Sequence, residues 1–210
     1  MKYRAVLFDL DGTLVDSLGD IELTINETRA FFGLFPMKHE EISPNVGFGL
    51  AHLLKMTFAD SDLSISQILE KYRILYRKNM LTTTRPYRDI IPLLDILERQ
   101  KTSLFVVTNK TEEPSRIILE KLGLNRFFIN IAGGDTFAAR KPDPIQITSL
   151  LSAAQISPVD ALMAGDHEND ILAAHAAGCS SVLCKWGFGT PGEARPDYIA
   201  EHPLEILNFL

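Results

Sequence analysis

Ala5-Val6-Leu7-Phe8-Asp9-Leu10-Asp11-Gly12-Thr13 decides the fold of this chain of 210 residues. Four consecutive apolar residues read as a short strand buried on both faces. The run stops at an acid. Beyond it, a tight turn at Gly12 brings Asp9 and Asp11 to the same strand end. Carboxylates gathered at a partly buried edge cost free energy, so the pair calls for a reason. On its own, a polar loop or a helix cap explains such a stretch equally well.

Working outward, the same pattern recurs. Apolar runs at residues 104–107, 128–131, 161–164 and 181–184 each end in polar or glycine residues: Thr108-Asn109, Gly133-Gly134, Gly165-Asp166 and Lys185. Helical stretches separate them. Asp143-Pro144 reads as an N-cap followed by proline at the first helical position, opening a helix over 145–154. A second, over 169–177, is alanine-rich and stops at Gly178. Apolar strands alternating with helices predict an α/β fold, a Rossmann-like doubly wound parallel sheet covered on both faces. Ligands bind such sheets at the carboxyl ends of the strands, where these polar residues gather.

One segment breaks the alternation. Residues 16–85 contain no convincing buried strand; Leu18, Ile21, Ile25 and Phe32 recur at helical spacing, as do Ile68, Tyr72, Leu75 and Tyr76. Ser43-Pro44-Asn45 and Gly47-Phe48-Gly49 mark a turn and a flexible loop between them. The predicted organisation is therefore a core of residues 1–15 and 86–210 with a helical insert at 16–85.

The bulk numbers exclude several classes. The chain is 46% hydrophobic and 23% charged, with a net charge of −6 and no basic cluster, which argues against nucleic acid as the main partner. An anionic ligand would need a local cation, such as a metal. The two cysteines, Cys179 and Cys184, are too few for a disulfide scaffold and read as buried reduced thiols. No apolar run reaches the length of a signal h-region or membrane span, so the expectation is a cytoplasmic protein with no membrane partner. Nothing in the linear pattern sets an oligomeric state.

The remaining polar strand ends each have a bland reading alone. Thr108 serves as a turn residue, Lys141 as a solvated cation, and Asp170 as a first-turn acid favoured by the helix dipole. Their joint occurrence, in this order, resembles the haloacid dehalogenase superfamily, and within it the phosphoglycolate phosphatase-like branch. The matching motifs are Asp9-x-Asp11-Gly12-Thr13, Thr108-Asn109, Lys141-Pro142 and Gly165-Asp166-x-x-x-Asp170. Thr108-Asn109-Lys110, Lys141-Pro142-Asp143-Pro144, residues 173–178 and Trp186-Gly187 extend the likeness over effectively the whole chain.

The resemblance implies a Mg²⁺-dependent phosphatase acting on a small phosphorylated metabolite, phosphoglycolate or a similar monoester. Asp9 would be the nucleophile that forms an aspartyl-phosphate, and Asp11 the general acid and base. Thr108 and the backbone amide of Asn109, with the Gly12 turn, would hold the phosphoryl group. Lys141 would neutralise charge on it. Asp9, Asp166 and the backbone carbonyl of Asp11 would bind the metal, with Asp170 in support. These are hard oxygen donors, which suits Mg²⁺ over zinc.

Two positions depart from the family pattern. His167 stands where serine is frequent, and is expected to face solvent from its loop. Pro86-Tyr87-Arg88-Asp89 lacks the frequent Pro-Gly where the chain re-enters the core. His39, His52, His175 and His202 have no metal-ligand spacing and receive no role.

Asp11 separates the family's chemistries. A departing halide needs no proton, whereas a departing alkoxide does, so a phosphatase is favoured over a dehalogenase; the phosphonate-cleaving branch is less similar at Asp11. A phosphosugar mutase shares the catalytic set and remains the alternative. A receiver-like phosphoprotein without turnover shares the Asp, Thr and Lys chemistry but lacks both the insert and the Asp9-x-Asp11-Gly12-Thr13 phrase. The insert resembles the family's helical cap, whose closing excludes water. Within it, Gly47 and Phe48 are the candidates for contacting the leaving group. A carboxylated substrate would need a cation, for which Lys38, Lys55, Arg73 and Arg77 are the candidates.

Overall fold

The computed structural model describes residues 2–210. Eight strands and eight α-helices follow one another in chain order. The strands are β1 (Ala5–Phe8), β2 (Val15–Asp16), β3 (Arg85–Pro86), β4 (Ser103–Val107), β5 (Asn130–Ala132), β6 (Ala161–Gly165), β7 (Ser180–Cys184) and β8 (Tyr198–Ala200). Helices α1 (Leu18–Phe31), α2 (His39–Ile42), α3 (Leu50–Thr57) and α4 (Ile65–Asn79) all lie between β2 and β3. The others are α5 (Ile90–Arg99), α6 (Glu112–Lys121), α7 (Ile145–Ala153) and α8 (Glu168–Ala177).

Six strands form one parallel sheet in the order β5-β4-β1-β6-β7-β8. The period of two along each strand divides its side chains between two cores. Val6, Phe8, Leu104 and Val106 join the core containing Leu93 and Leu94 of α5 and Ile118 and Leu119 of α6. Ala5, Leu7, Phe105 and Val107 join the other, with Ile147 and Leu151 of α7 and Ala173 and Ala174 of α8. This is the predicted doubly wound architecture, and it explains why the strands read as unbroken apolar runs.

β1 lies between β4 and β6, so the chain reverses its winding direction there. Parallel register aligns Phe8 with Val106 on one side and with Ala164 on the other. Asp9, Thr108 and Asp166 consequently leave the sheet at the same edge, at the switch point where doubly wound sheets open a crevice.

The insert leaves and returns through one place. β2 and β3 pair antiparallel, with Val15 opposite Pro86 and Asp16 opposite Arg85. Just beyond this stem, the buried Asp20 carboxylate accepts hydrogen bonds from the backbone and hydroxyl of both Thr83 and Thr84, at 2.6–3.0 Å. Inside the insert, buried Arg29 forms a two-pronged ion pair with Asp60 at 2.9 and 2.7 Å and donates to the carbonyls of Phe35 and Thr57.

Three local expectations shift. The apolar run 128–131 enters the sheet two residues late, because Asn125–Phe127 forms a 3-10 turn that buries Phe127 and Phe128 packs edge-on against Phe8. Helix α7 starts at Ile145, so Pro144 is its cap residue rather than its first helical position, while Asp143 Oδ1 accepts from the Ile145 N–H at 2.9 Å. The sixth strand of the sheet, β8, is only three residues long, too short to stand out as an apolar run. Cys179 and Cys184 are free, buried thiols, and burial pushes Cys179 up to about 12. Among the described residues, no helix is long and apolar enough to cross a membrane.

Candidate active site

Asp9 is the first residue beyond β1, and its main chain continues the sheet through a hydrogen bond to Ala164 O at 2.9 Å. Its side chain is buried, with Oδ1 accepting from the Leu10 N–H at 2.7 Å. Oδ1 also lies 3.0 Å from Lys141 Nζ. Burial raises the Asp9 carboxyl above its usual range, since Lys141 only partly offsets burial and the neighbouring Asp170 charge adds to it.

Lys141 is far from a solvated surface cation. Its Nζ donates to Val107 O and to Asp170 Oδ1, each at 2.6 Å. Burial opposes its charge, but the Asp170 and Asp9 carboxylates outweigh that and hold its pKa above the ordinary lysine value. Asp170 in turn accepts at Oδ2 from the His167 N–H at 3.0 Å, satisfying an orphan donor at the start of α8.

Asp166 follows β6 and is also buried. Its Oδ2 accepts from the Gly189 N–H at 2.7 Å, and Thr13 Oγ1 lies 3.5 Å from Oδ1. The turn at Gly12 is packed against it. A Cβ on Gly12 would lie 2.0 Å from Asp166 Oδ2, and φ is +81°, so only glycine fits. Burial, then the charges of Asp170 and Asp9, push the Asp166 carboxyl well above its usual range.

One carboxylate oxygen from each of Asp9, Asp166 and Asp170 lies within 4.8 Å of the others. Three buried acids face a single buried ammonium, leaving a surplus of negative charge in a poorly solvated place. The donor set is all hard oxygen. This cluster fits a hard divalent cation, which relieves the repulsion that raises Asp166.

Asp11 stands apart from the cluster. It accepts from Ser17 Oγ at 2.5 Å and pairs with Lys110 Nζ at 2.8 and 3.1 Å. Lys110 also lies over the ring of Tyr76 from α4, 4.7 Å from its centroid. Asp9, Asp11, Thr108, Asn109 and Lys110 together line a cavity of about 70 Å³ whose far wall comes from the insert, including Gly47, Leu50, Tyr72 and Tyr76.

A family model for haloacid dehalogenase-like hydrolases matches residues 6–184. The chain belongs to that family. Within the haloacid dehalogenase-like hydrolases it is 34% identical over 207 residues to a phosphoglycolate phosphatase of Aquifex aeolicus, covering 99% of this chain and 96% of the relative. It is 40% identical over 187 residues to another from Agrobacterium fabrum, covering 87% and 80%. A crystal structure described as a predicted phosphoglycolate phosphatase from Haemophilus somnus superposes with a TM-score of 0.94 at 28% identity, covering 100% of this chain and 98% of the other. The protein is thus a phosphoglycolate phosphatase-like phosphoric monoester hydrolase of the haloacid dehalogenase family.

The structure brings the motif residues named from the sequence together at one end of the sheet, with three surprises. His167 is buried rather than facing solvent. Its Nδ1 accepts from the Asn169 N–H at 3.2 Å to cap α8, and its ring meets Phe48 edge-on at 4.5 Å. The loop Gly47-Phe48-Gly49 therefore rests on the core. Gly47 O accepts from Asn109 Nδ2 at 2.8 Å and from Asn169 Nδ2 at 3.3 Å. Gly47 lines the cavity beside Asp9, whereas Phe48 lines a separate cleft with Arg140 and Asn169.

The second surprise concerns the cations of the insert. Lys38 and Lys55 are exposed, and Arg73 and Arg77 line a neighbouring cleft where Arg77 pairs with Glu113 at 2.7 Å. None of the four reaches the cavity lining. The third is Gln146, which the sequence reading passed over. Its Nε2 donates to Gly133 O at 2.8 Å and to Thr108 O at 3.1 Å, while Oε1 accepts from the Lys141 N–H at 3.1 Å. It braces the two loops that carry Thr108 and Lys141. A buried amide in an otherwise apolar helix face was the available signal.

Proposed function

We propose that the protein hydrolyses a compact phosphate monoester, phosphoglycolate or a close analogue, through an aspartyl-phosphate on Asp9 with Mg²⁺ as the metal. The observation that carries this reading is the buried Asp9, held by Lys141 at 3.0 Å and clustered with Asp166 and Asp170, opening on the cavity it shares with Asp11. The named activity of the relatives supports the choice of ester.

In the first step an oxygen of Asp9 attacks phosphorus, the ester P–O bond breaks, and Asp11 gives its proton to the departing alkoxide. In the second, Asp11 takes a proton from water, which attacks phosphorus and breaks the Asp9–phosphate bond. Thr108 Oγ1 and the Asn109 N–H hold phosphoryl oxygens beside Asp9, and Lys141 balances charge without moving. When bound at Asp9 and Asp166, with Asp170 in support, Mg²⁺ neutralises the phosphoryl charge and aligns the ester for in-line attack. Residues 16–85 act as a cap that closes over the core about the β2–β3 stem and keeps bulk water out.

Phosphate release from a panel of esters, with Mg²⁺ and with EDTA, tests the reading. Metal-dependent release that Asp9→Asn abolishes is expected. Substantial turnover by Asp9→Asn would remove Asp9 as nucleophile.

A further inference from the structure

Two donors from distant parts of the chain hold the Asp11 carboxylate at the edge of the cavity. Ser17 Oγ, at the entrance to α1, reaches Oδ1 at 2.5 Å, and Lys110 Nζ meets Oδ1 and Oδ2 at 3.1 and 2.8 Å. A carboxyl turns easily about its last bond, so a single contact at Oδ1 leaves that rotation open. The lysine, spanning both oxygens, removes it. Exposed ion pairs hold their geometry poorly, but the Lys110 and Asp11 side chains are only 9% and 13% exposed.

Lys110 is itself placed from three sides. Its N–H donates to Thr108 Oγ1 at 3.2 Å and its carbonyl accepts from the Gly134 N–H at 2.7 Å, which fixes the main chain between β4 and α6. Having accepted there, the Thr108 hydroxyl has its own proton free to donate. The ammonium lies over the Tyr76 ring, 4.7 Å from its centroid, and that ring stacks on Tyr72 with centroids 5.5 Å apart. Both tyrosines belong to α4, so the cation that grips Asp11 rests on the insert.

We infer that Lys110 is the positioning residue of Asp11, and that its seat on Tyr76 makes the acid–base step depend on the insert lying over the core. This deepens the hydrolytic reading and rests on it. When Asp11 carries the proton for the leaving group, an ammonium offers that proton no acceptor, so it cannot turn toward Lys110. It is left for the leaving oxygen, while the other carboxyl oxygen stays bound to Nζ. In the transfer the Asp11 O–H bond breaks, the leaving oxygen gains the proton, and Lys110 keeps all three of its own. Lifting α4 takes the ring from beneath the ammonium and admits water to the pair, which weakens both attractions. Asp11 is then free to rotate, and a misplacement of about 1 Å is enough to lower a rate about a hundredfold.

Steady-state kinetics on acetyl phosphate and ethyl phosphate test the inference. The two are close in size, and only the second releases an alkoxide that needs a proton. The readout is kcat/KM for ethyl phosphate divided by that for acetyl phosphate, a ratio that the amount of folded protein does not change. Asp11→Asn is expected to lower it about a hundredfold. Lys110→Met should lower it about tenfold, Lys110→Arg should recover most of that loss, and Tyr76→Leu should lower it about threefold. In the Asp11→Asn background, Lys110→Met should lower it no further, because the lysine acts through the acid. An unchanged ratio in Lys110→Met overturns the inference. So does a full tenfold loss that persists without the Asp11 carboxyl, since Lys110 would then touch the leaving group directly. An unchanged ratio in Tyr76→Leu overturns the link to the insert. If Asp11→Asn itself leaves the ratio unchanged, the reading of Asp11 as the acid fails and takes the inference with it, a pattern distinct from failure at Lys110 alone.

Discussion

Lys141 Nζ lies 2.6 Å from Asp170 Oδ1, and both side chains are buried. Ion pairs in such surroundings contribute little net stability when intact, but losing one partner strands the other's charge. Lys141→Met should therefore destabilise the protein by about 3–5 kcal/mol in urea unfolding. Adding Asp170→Asn should recover much of that stability without restoring phosphate release, because the charge balance beside Asp9 is still lost.

Asp166 is the acid of the buried Asp9–Asp166–Asp170 cluster that has no cationic side chain beside it among the described residues. Without metal, Asp166→Asn should raise the midpoint of thermal unfolding, since it removes a buried charge that burial and the Asp170 and Asp9 carboxylates oppose. With saturating Mg²⁺ the order should invert, because a ligand that binds only the folded state stabilises it and the variant has lost a ligand. Calorimetric scans with and without Mg²⁺ check both signs.

Asp20 supplies the pH-dependent part of the stem. Burial works against its ionisation, but the hydrogen bonds from Thr84 and Thr83 outweigh it and hold the carboxyl below its usual range. A carboxyl depressed on folding stabilises above its unfolded value, about 3.9, and loses that contribution as pH falls through the folded value. Asp20→Asn should cost about 2–3 kcal/mol at pH 7, and the gap between variant and wild type should shrink in unfolding curves taken below about pH 4.

Gly47 tests how the insert's loop meets the core. A Cβ there would lie 2.8 Å from His167 Cδ2, and its φ of +102° is unfavourable for any other residue. Gly47→Ala should lift the loop from Asn109 and Asn169. We expect KM to rise about tenfold or more, with a stability loss of about 1–2 kcal/mol, measured by steady-state kinetics and urea unfolding.

The sheet and the motif residues were legible because β1, β4 and β6 are buried apolar runs that stop just before Asp9, Thr108 and Asp166. What escaped the reading depends on partners far away in sequence. Gln146 and Asp20 serve main-chain groups on other elements, so no spacing signals them. His167 looked like a loop residue because the partner that buries it, Phe48, sits in the insert. Lys110 falls within a family phrase that says nothing of its surroundings; which cation faces a cavity is a three-dimensional fact. The strand expected at 128–131 came two residues late because Phe127 and Phe128 are spent on packing before the sheet begins.

The antiparallel pairing of Val15–Asp16 with Arg85–Pro86 has an evolutionary consequence. Two neighbouring strands are the only covalent crossing between the halves of the molecule, so a tight hairpin turn could join them directly. The six-stranded sheet would keep its register if the intervening helices were shortened, lengthened or exchanged for those of a relative. On the proposed function, lineages carrying this core would acquire new substrate ranges by replacing one contiguous cassette, with the cluster of Asp9, Asp166 and Asp170 inherited unchanged.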